Sequence, residues 1–267
     1  MATLAILLTG GRSRRMGGTH KPAMRIGAES MIDRVARTVR GADPAARLVV
    51  AGSAEGVTGT HAVEVVREDP PFSGPLAGLA AGVRAAAPDP DRIVVVLGGD
   101  MPFVSPDLIS RLIDEVLGGA EAAGCHDATG HLQYLCTAWR DEALRARLSA
   151  LEPVENRPLR ALYDGVDVRI VDADGDEVRD IDTPDDYARS LVTSDGRAIP
   201  TALVDAALAT GRLTADDLVA VLDAARAVKH AGSDANPVVA AFLAGTLPDP
   251  TRSALDAIVA IARDADA

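Results

Sequence analysis

Leu4-Ala5-Ile6-Leu7-Leu8 runs directly into Thr9-Gly10-Gly11-Arg12-Ser13-Arg14-Arg15-Met16-Gly17-Gly18-Thr19-His20-Lys21. The apolar run reads as a buried strand. The glycines free the backbone to turn tightly and to come close to a ligand. Arg12, Arg14, Arg15 and Lys21 then place four cations within ten residues. Strand, glycine turn and cations together present backbone N–H groups and positive charge to a phosphate chain. The stretch is neither a Gly-x-x-x-x-Gly-Lys-Ser/Thr loop nor a Gly-x-Gly-x-x-Gly dinucleotide turn. A basic surface turn is the plainer alternative, and the rest of the chain decides between the two.

The strongest partner for this stretch is Arg92-Ile93-Val94-Val95-Val96-Leu97, nearly continuous in β-branched residues, as in a parallel strand covered on both faces. It ends at Gly98-Gly99-Asp100-Met101-Pro102. A carboxylate at the end of a central parallel strand lies where open α/β sheets bind ligands, and Asp100 suits Mg2+, which takes oxygen ligands and shares substrate phosphates. Asp100 is also placed to cap the helix that follows, but Ser105 is better placed for that.

Between these strands, Ser30 N-caps a helix to about Val39, and Arg47–Ala51 and Ala62–Val66 read as strands. Asp69-Pro70-Pro71-Phe72-Ser73-Gly74 is a rigid loop, with a helix from Pro75, where proline is tolerated. Its small residues Ala77, Gly78, Ala80, Ala81 and Gly82 suit close approach to a strand or to a ligand. Beyond Asp100 the pattern predicts helices over 108–117, 141–148 and 157–163 and strands over 120–123, 131–138 and 166–171. His126 and Asp127 fall in a connection that reads as a solvated turn. Asp180 and Asp182 alternate, so they project to one side of an extended segment, where one of them can join Asp100 at a metal. Thr183 or Asp182 caps a helix from Pro184.

Strand–helix alternation over the first 190 or so residues indicates an α/β domain with a mainly parallel sheet. Composition changes near Leu191–Gly196, after which helices are expected at about 198–210, 214–230, 235–245 and 251–265. Val219, Leu222, Ala225 and Val228 form a weak apolar stripe, and Lys229, His230 and Asn236 read as a solvated or docking face. The expected division is therefore 1–193, α/β, and 194–267, a small all-α domain.

A net charge of −12 argues against nucleic acid or an anionic membrane as the main partner, although local cations still permit an anionic ligand. Lys21 is one of only two lysines in an arginine-rich chain. Cys125 and Cys136, the two cysteines, lack metal spacing and read as reduced thiols. No leader pattern precedes the first strand and no apolar run reaches membrane-spanning length, so a cytoplasmic protein is expected.

Leu8–Gly17 with Lys21, Gly74-Pro75-Leu76-Ala77-Gly78-Leu79, Gly99-Asp100-Met101-Pro102 and Asp182-Thr183-Pro184 occur in an order that resembles the molybdenum cofactor guanylyltransferases. The likeness covers about residues 3–190. The first motif and Asp100 are shared across the wider nucleotidyltransferase superfamily, and the Gly74–Leu79 run tilts the resemblance toward guanylyl transfer. It implies a three-layer, Rossmann-like nucleotidyltransferase fold and transfer of GMP from GTP to the molybdopterin cofactor, with Mg2+. By the same resemblance, Leu8, Thr9, Gly10, Gly11, Gly74 and Pro75 approach the nucleotide. Lys21 neutralises phosphate, Asp69 lies near the nucleoside and Asp100, with Asp182 as a second candidate, holds the metal. The residues themselves add Arg15, with Arg12, on the leaving pyrophosphate. Cofactor-donating or molybdoenzyme-maturation proteins are implied partners. The chain departs from the family pattern at Thr9 for Ala, at His20 for Asp, at Ala51-Gly52-Ser53, where some members carry Asn, and at Asp180 and Asp182 for Asn. The paired Asp resembles cytidylyltransferases. CMP transfer, nucleotide-sugar synthesis and a silent nucleotide-binding regulator are the alternatives.

Overall fold

A computed structural model describes residues 2–10, 20–26, 29–59, 61–127, 129–174, 177–183, 186–187, 190, 204, 207–214, 217–218, 220–221 and 247–264. The chain divides into two compact units, Met1–Met24 with Ser30–Asp180, and Arg25–Glu29 with Ile181–Ala267.

The first unit is built on strands β1 (Thr3–Leu8), β4 (Arg47–Ala51), β5 (Val63–Val66), β6 (Ile93–Gly98), β7 (Ala122–His126), β8 (Leu132–Arg140) and β9 (Val168–Ile170), while β2 (Arg25–Ile26) and β3 (Glu29–Ser30) pair in a separate two-stranded sheet. The sheet order is β5-β4-β1-β6-β8-β7-β9. β1, β4, β5 and β6 are mutually parallel where they pair, and β9 is parallel to β7. Only β8 runs against its neighbours, β6 and β7.

Two cores cover the two faces of this sheet. Ala5 and Leu7 pack with Ile32, Val35 and Val39 of α1 (Met31–Ala42) and Leu108 and Leu112 of α3 (Pro106–Leu117). Leu4, Ile6 and Leu8 face the other way, toward Leu76, Leu79 and Val83 of α2 (Pro75–Arg84) and Leu144 of α4 (Asp141–Ala150). An all-apolar strand is what such two-sided cover requires, because successive side chains enter opposite cores. The result is the expected three-layer α/β arrangement.

The helix starts follow their capping chemistry. Ser30 Oγ accepts from Asp33 N at 3.1 Å and Ser105 Oγ from Leu108 N at 3.0 Å, so Asp100 is not needed as a cap. The small residues of α2 serve tight packing: a Cβ at Gly82 would meet Ile6 Cγ2 at 2.7 Å.

Two local expectations change. The predicted helix over 157–163 is a single 3-10 turn, Leu159–Leu162. Pro158 precedes it and Gly165 follows at a positive φ, leaving too little chain to repay helix nucleation. β7 also extends farther than its alternation suggested, so that His126 pairs with Leu132 instead of sitting in the connection. Asp127 does form the solvated turn, its carboxylate accepting from Thr129 N and His131 N.

In the second unit, Thr183 rather than Asp182 acts as the cap: its hydroxyl accepts from Asp186 N at 3.1 Å, while Asp186 accepts from Thr183 N at 2.9 Å. Tyr187 Oη donates to Arg25 O. The last helix, α5 (Asp249–Asp264), lies within the expected 251–265 segment extended by two residues at its start. Pro184, most of 198–210 and 214–230, all of 235–245, and Val219, Leu222, Ala225, Val228, Lys229, His230 and Asn236 lie outside the described residues. Among the described residues no helix is long and apolar enough to cross a membrane.

Candidate active site

The carboxyl ends of β4, β1 and β6 lie side by side, as their registers Leu8 with Ala51 and Leu8 with Gly98 require. Thr9, buried just past β1, joins them. Its backbone N–H donates to Ala51 O at 3.1 Å and its hydroxyl to Ser53 O at 2.8 Å. On the other side Gly99 N–H donates to Leu8 O at 2.9 Å. The fit leaves no room for a side chain. A Cβ at Gly99 would come within 2.8 Å of Thr9 Cγ2, and one at Gly52, whose φ is +132°, within 2.6 Å of Thr9 Oγ1. Gly10 differs: among the described residues no atom lies within 4 Å of where its Cβ would be. Among those residues it faces open space.

That space is a cleft of three adjoining lobes around Gly10. A lobe of about 140 Å³ is lined by Leu8, Thr9, Gly10, Lys21, Pro22, Pro75, Asp100 and Leu135. Here Lys21 Nζ stands 3.9 Å from Asp100 Oδ2, both side chains mostly buried, at 12% and 23% exposure. Lys21 is positioned by a 3-10 turn, Lys21–Ala23, whose Pro22 is buried, and Asp100 by the end of β6. A second lobe of about 240 Å³ is more apolar, lined by Leu8, Gly10, Ala51, Glu68, Phe72, Gly74, Pro75 and Gly78. The third, about 190 Å³, includes Thr9, His20, Gly52, Ser53, Arg67, Glu68 and Phe72. A cation and a carboxylate at one end and an apolar wall at the other suit a ligand with a charged chain and a flat, less polar head.

His20 occupies the third lobe. Burial holds its imidazole below the usual pKa, opposed by the negative charge of Glu55. Its Nε2 is buried and has no hydrogen-bond partner among the described residues. An imidazole thus lines this lobe where the resemblance led one to expect a carboxylate.

The structure brings together Leu8, Thr9, Gly10, Lys21, Gly74, Pro75 and Asp100. Gly11, Arg12, Arg14 and Arg15 lie outside the described residues. Asp182 belongs to the second unit, directly before the Thr183 cap. Asp69 is exposed, and the residues of this loop that line both adjoining lobes are Glu68 and Phe72. Sequence reasoning passed over both. The available signal was an isolated phenylalanine in a Pro/Gly-rich loop of a chain with only 3% aromatic residues.

The residues fit a divalent cation of one kind. Among the described residues no cluster of three or more His, Cys, Asp or Glu exists, so no all-protein cage is formed. Asp100 is a single carboxylate at the cleft floor beside a cation suited to phosphate. Mg2+ is commonly held by one or two carboxylates plus substrate phosphates and water.

The pattern of the MobA-like NTP transferase domain matches residues 5–170. The chain belongs to this family. A molybdenum cofactor guanylyltransferase of Acidiphilium cryptum is 34% identical over 152 residues, covering 56% of this chain and 74% of the relative. Among solved structures, a nucleotidyl transferase from Methanothermobacter thermautotroptrophicus superposes with a TM-score of 0.55 at 26% identity, over 70% of this chain and 94% of that one. The molybdopterin-guanine dinucleotide biosynthesis protein A of Archaeoglobus fulgidus gives a TM-score of 0.55 at 21% identity, covering 70% and 96%, and so supports the fold. The MobA-like match ends at the last residue of β9, so it takes in every strand of the sheet apart from the first two residues of β1.

Proposed function

We propose that this MobA-like chain transfers GMP from GTP to the molybdopterin cofactor, releasing pyrophosphate and forming the guanine dinucleotide. The observation that carries this is the meeting of Lys21 and Asp100 at the charged end of a cleft whose other end is apolar. The guanylyltransferase names of the relatives support the choice of base and acceptor.

In the reaction, the terminal phosphate of the cofactor attacks the α-phosphorus of GTP in line, the new P–O bond forming as the bond to the leaving pyrophosphate breaks. The backbone after β1, from Leu8 to Gly10, lets the nucleotide approach closely because Gly10 carries no side chain. Lys21 offsets the negative charge of the triphosphate, and Arg15 with Arg12 is assigned to the departing pyrophosphate from their place in the glycine-rich stretch. Asp100 would hold Mg2+, which when bound offsets charge on the phosphoryl oxygens. The attacking phosphate is already ionised at neutral pH, so the chain need not supply a general base. Catalysis is then positioning plus electrostatic stabilisation.

Pyrophosphate release measured with each of the four NTPs, with and without molybdopterin and with and without Mg2+, tests this reading. Release only with GTP, molybdopterin and Mg2+ together is expected. Release with CTP instead would move the chain to cytidylyl transfer, and tight nucleotide binding without release under any condition would make it a regulator.

A further inference from the structure

We propose that Glu68 and Phe72 read the nucleobase, the carboxylate selecting guanine and the ring stacking on it. This rests on the guanylyl-transfer reading and assigns its specificity to two residues of the loop after β5.

Both residues line the two lobes that meet the Lys21–Asp100 lobe at Gly10, and neither lines that lobe. A triphosphate held at Lys21 therefore sends its nucleoside toward them. Phe72 is 65% exposed, the most exposed of the large apolar side chains among the described residues. Its φ of +64° is a conformation that bulky residues seldom adopt and that clusters at ligand-binding sites. An exposed ring at the rim of an apolar lobe is a stacking platform, and stacking tolerates any base because every base has a π-face.

Selection falls to Glu68. Its Oε1 accepts from Phe72 N–H at 2.9 Å, which ties the carboxylate to the backbone that carries the ring. An ionised carboxylate offers about four acceptor sites, and one such bond leaves most of them available. Guanine presents two neighbouring donors, N1–H and the 2-amino group, which match two carboxylate oxygens. Adenine turns the acceptor N1 toward the carboxylate, and cytosine offers a single amino donor beside the acceptor N3. A base edge that sets an acceptor against the carboxylate is rejected, because two acceptors face each other with no proton between them.

The experiment is equilibrium binding of GTP, ITP, CTP and inorganic tripolyphosphate to the full chain, as wild type, Glu68→Gln and Phe72→Ala. ITP lacks only the 2-amino group. Gln keeps an acceptor for Phe72 N–H, so the loop should persist, and the thermal midpoint of each variant checks this. Wild type should favour GTP over ITP by about 10-fold, the scale of a well-made base contact. Glu68→Gln should weaken GTP by roughly 10- to 100-fold, bring the GTP:ITP ratio close to one and leave tripolyphosphate unchanged. Phe72→Ala should weaken GTP and ITP by the same factor, about 10-fold, with their ratio kept. A wild type that prefers GTP while Glu68→Gln retains its GTP:ITP ratio overturns this inference and leaves guanylyl transfer standing. A wild type that prefers CTP overturns both.

Discussion

Lys21 Nζ and Asp100 Oδ2 face each other across 3.9 Å, one carried by the turn that ends the glycine-rich stretch and the other by the end of the central strand. The two charges come from distant parts of the chain, and the proposed reaction gives them separate tasks. A phosphate chain draws the ammonium, and a divalent cation draws the carboxylate. Substrate binding should therefore part them. Asp100→Ala is expected to lower pyrophosphate release by about 100-fold or more, the scale seen when a group that stabilises developing charge is removed. Its thermal midpoint should stay near wild type, because the side chain is not part of either core. Lys21→Ala should weaken GTP and tripolyphosphate while sparing guanosine. Near-normal turnover in Asp100→Ala, or equal loss of GTP and guanosine binding in Lys21→Ala, would count against these roles.

Two glycines a short distance apart answer different needs. Gly10 borders all three lobes and has no atom of the described residues near its absent Cβ, whereas Gly99 would drive a Cβ to 2.8 Å from Thr9 Cγ2. Gly10→Ala should keep the stability of the parent and lose nucleotide affinity, since the methyl occupies ligand space. Gly99→Ala should lose about 1–3 kcal/mol of stability through overpacking. Chemical denaturation and GTP titration of the pair separate the two effects. Destabilisation by Gly10→Ala with unchanged GTP binding would show that its opening serves the fold.

Much of this fold could be read from local chemistry. The strands at Leu4–Leu8 and Ile93–Leu97 declare themselves because both of their faces are buried, and Ser30 and Ser105 mark helix starts through hydroxyls that only a cap needs. The segment before Tyr163 misleads because its composition suits a helix while Pro158 and Gly165 bound it too closely. At the site, residues on strand ends could be located from the sequence, since strand direction fixes where they emerge. The loop after β5 has no such periodicity. Asp69 and Glu68 are equivalent as sequence, and only the path of the folded loop turns Glu68 toward the cleft and leaves Asp69 exposed.

His20 supplies a pH signature. Burial lowers its pKa, so between the ordinary imidazole value, about 6.5, and the lowered native one, the unfolded chain binds more protons than the native protein. Stability then rises with pH through this window. It is fully present above about 6.5 and is lost as pH falls toward the native value. His20→Gln, which cannot titrate, should flatten that part of the stability profile. Denaturation midpoints of wild type and variant from pH 7 down to pH 5 measure it, and parallel profiles would show that the ring is equally easy to protonate in both states.

Asp141 is a structural charge at the opposite end of β6 from the cleft. Its side chain is 0% exposed, and Arg145 Nε reaches both carboxylate oxygens, at 3.0 and 2.9 Å. Asp89 N–H donates to it at 2.8 Å, and Arg92 lies 3.8 Å away. Arg145 in turn donates to Val83 O and Ala86 O at the end of α2, each at 2.8 Å. The carboxylate thus fixes the start of α4 to the end of α2 and to the approach to β6. Replacing it by alanine removes the acceptor from a part-buried N–H and from a guanidinium already committed to backbone carbonyls. Loss of one partner from such a buried pair costs about 3–5 kcal/mol, and Asp141→Ala should fall near the lower figure because Arg145 retains some solvent contact. GTP affinity of the folded fraction should be unchanged, since nothing in this cluster reaches Gly10, Lys21 or Asp100. Urea denaturation combined with GTP titration makes the comparison. A stable Asp141→Ala, or one folded but unable to bind GTP, would mean that the two ends of β6 are not independent.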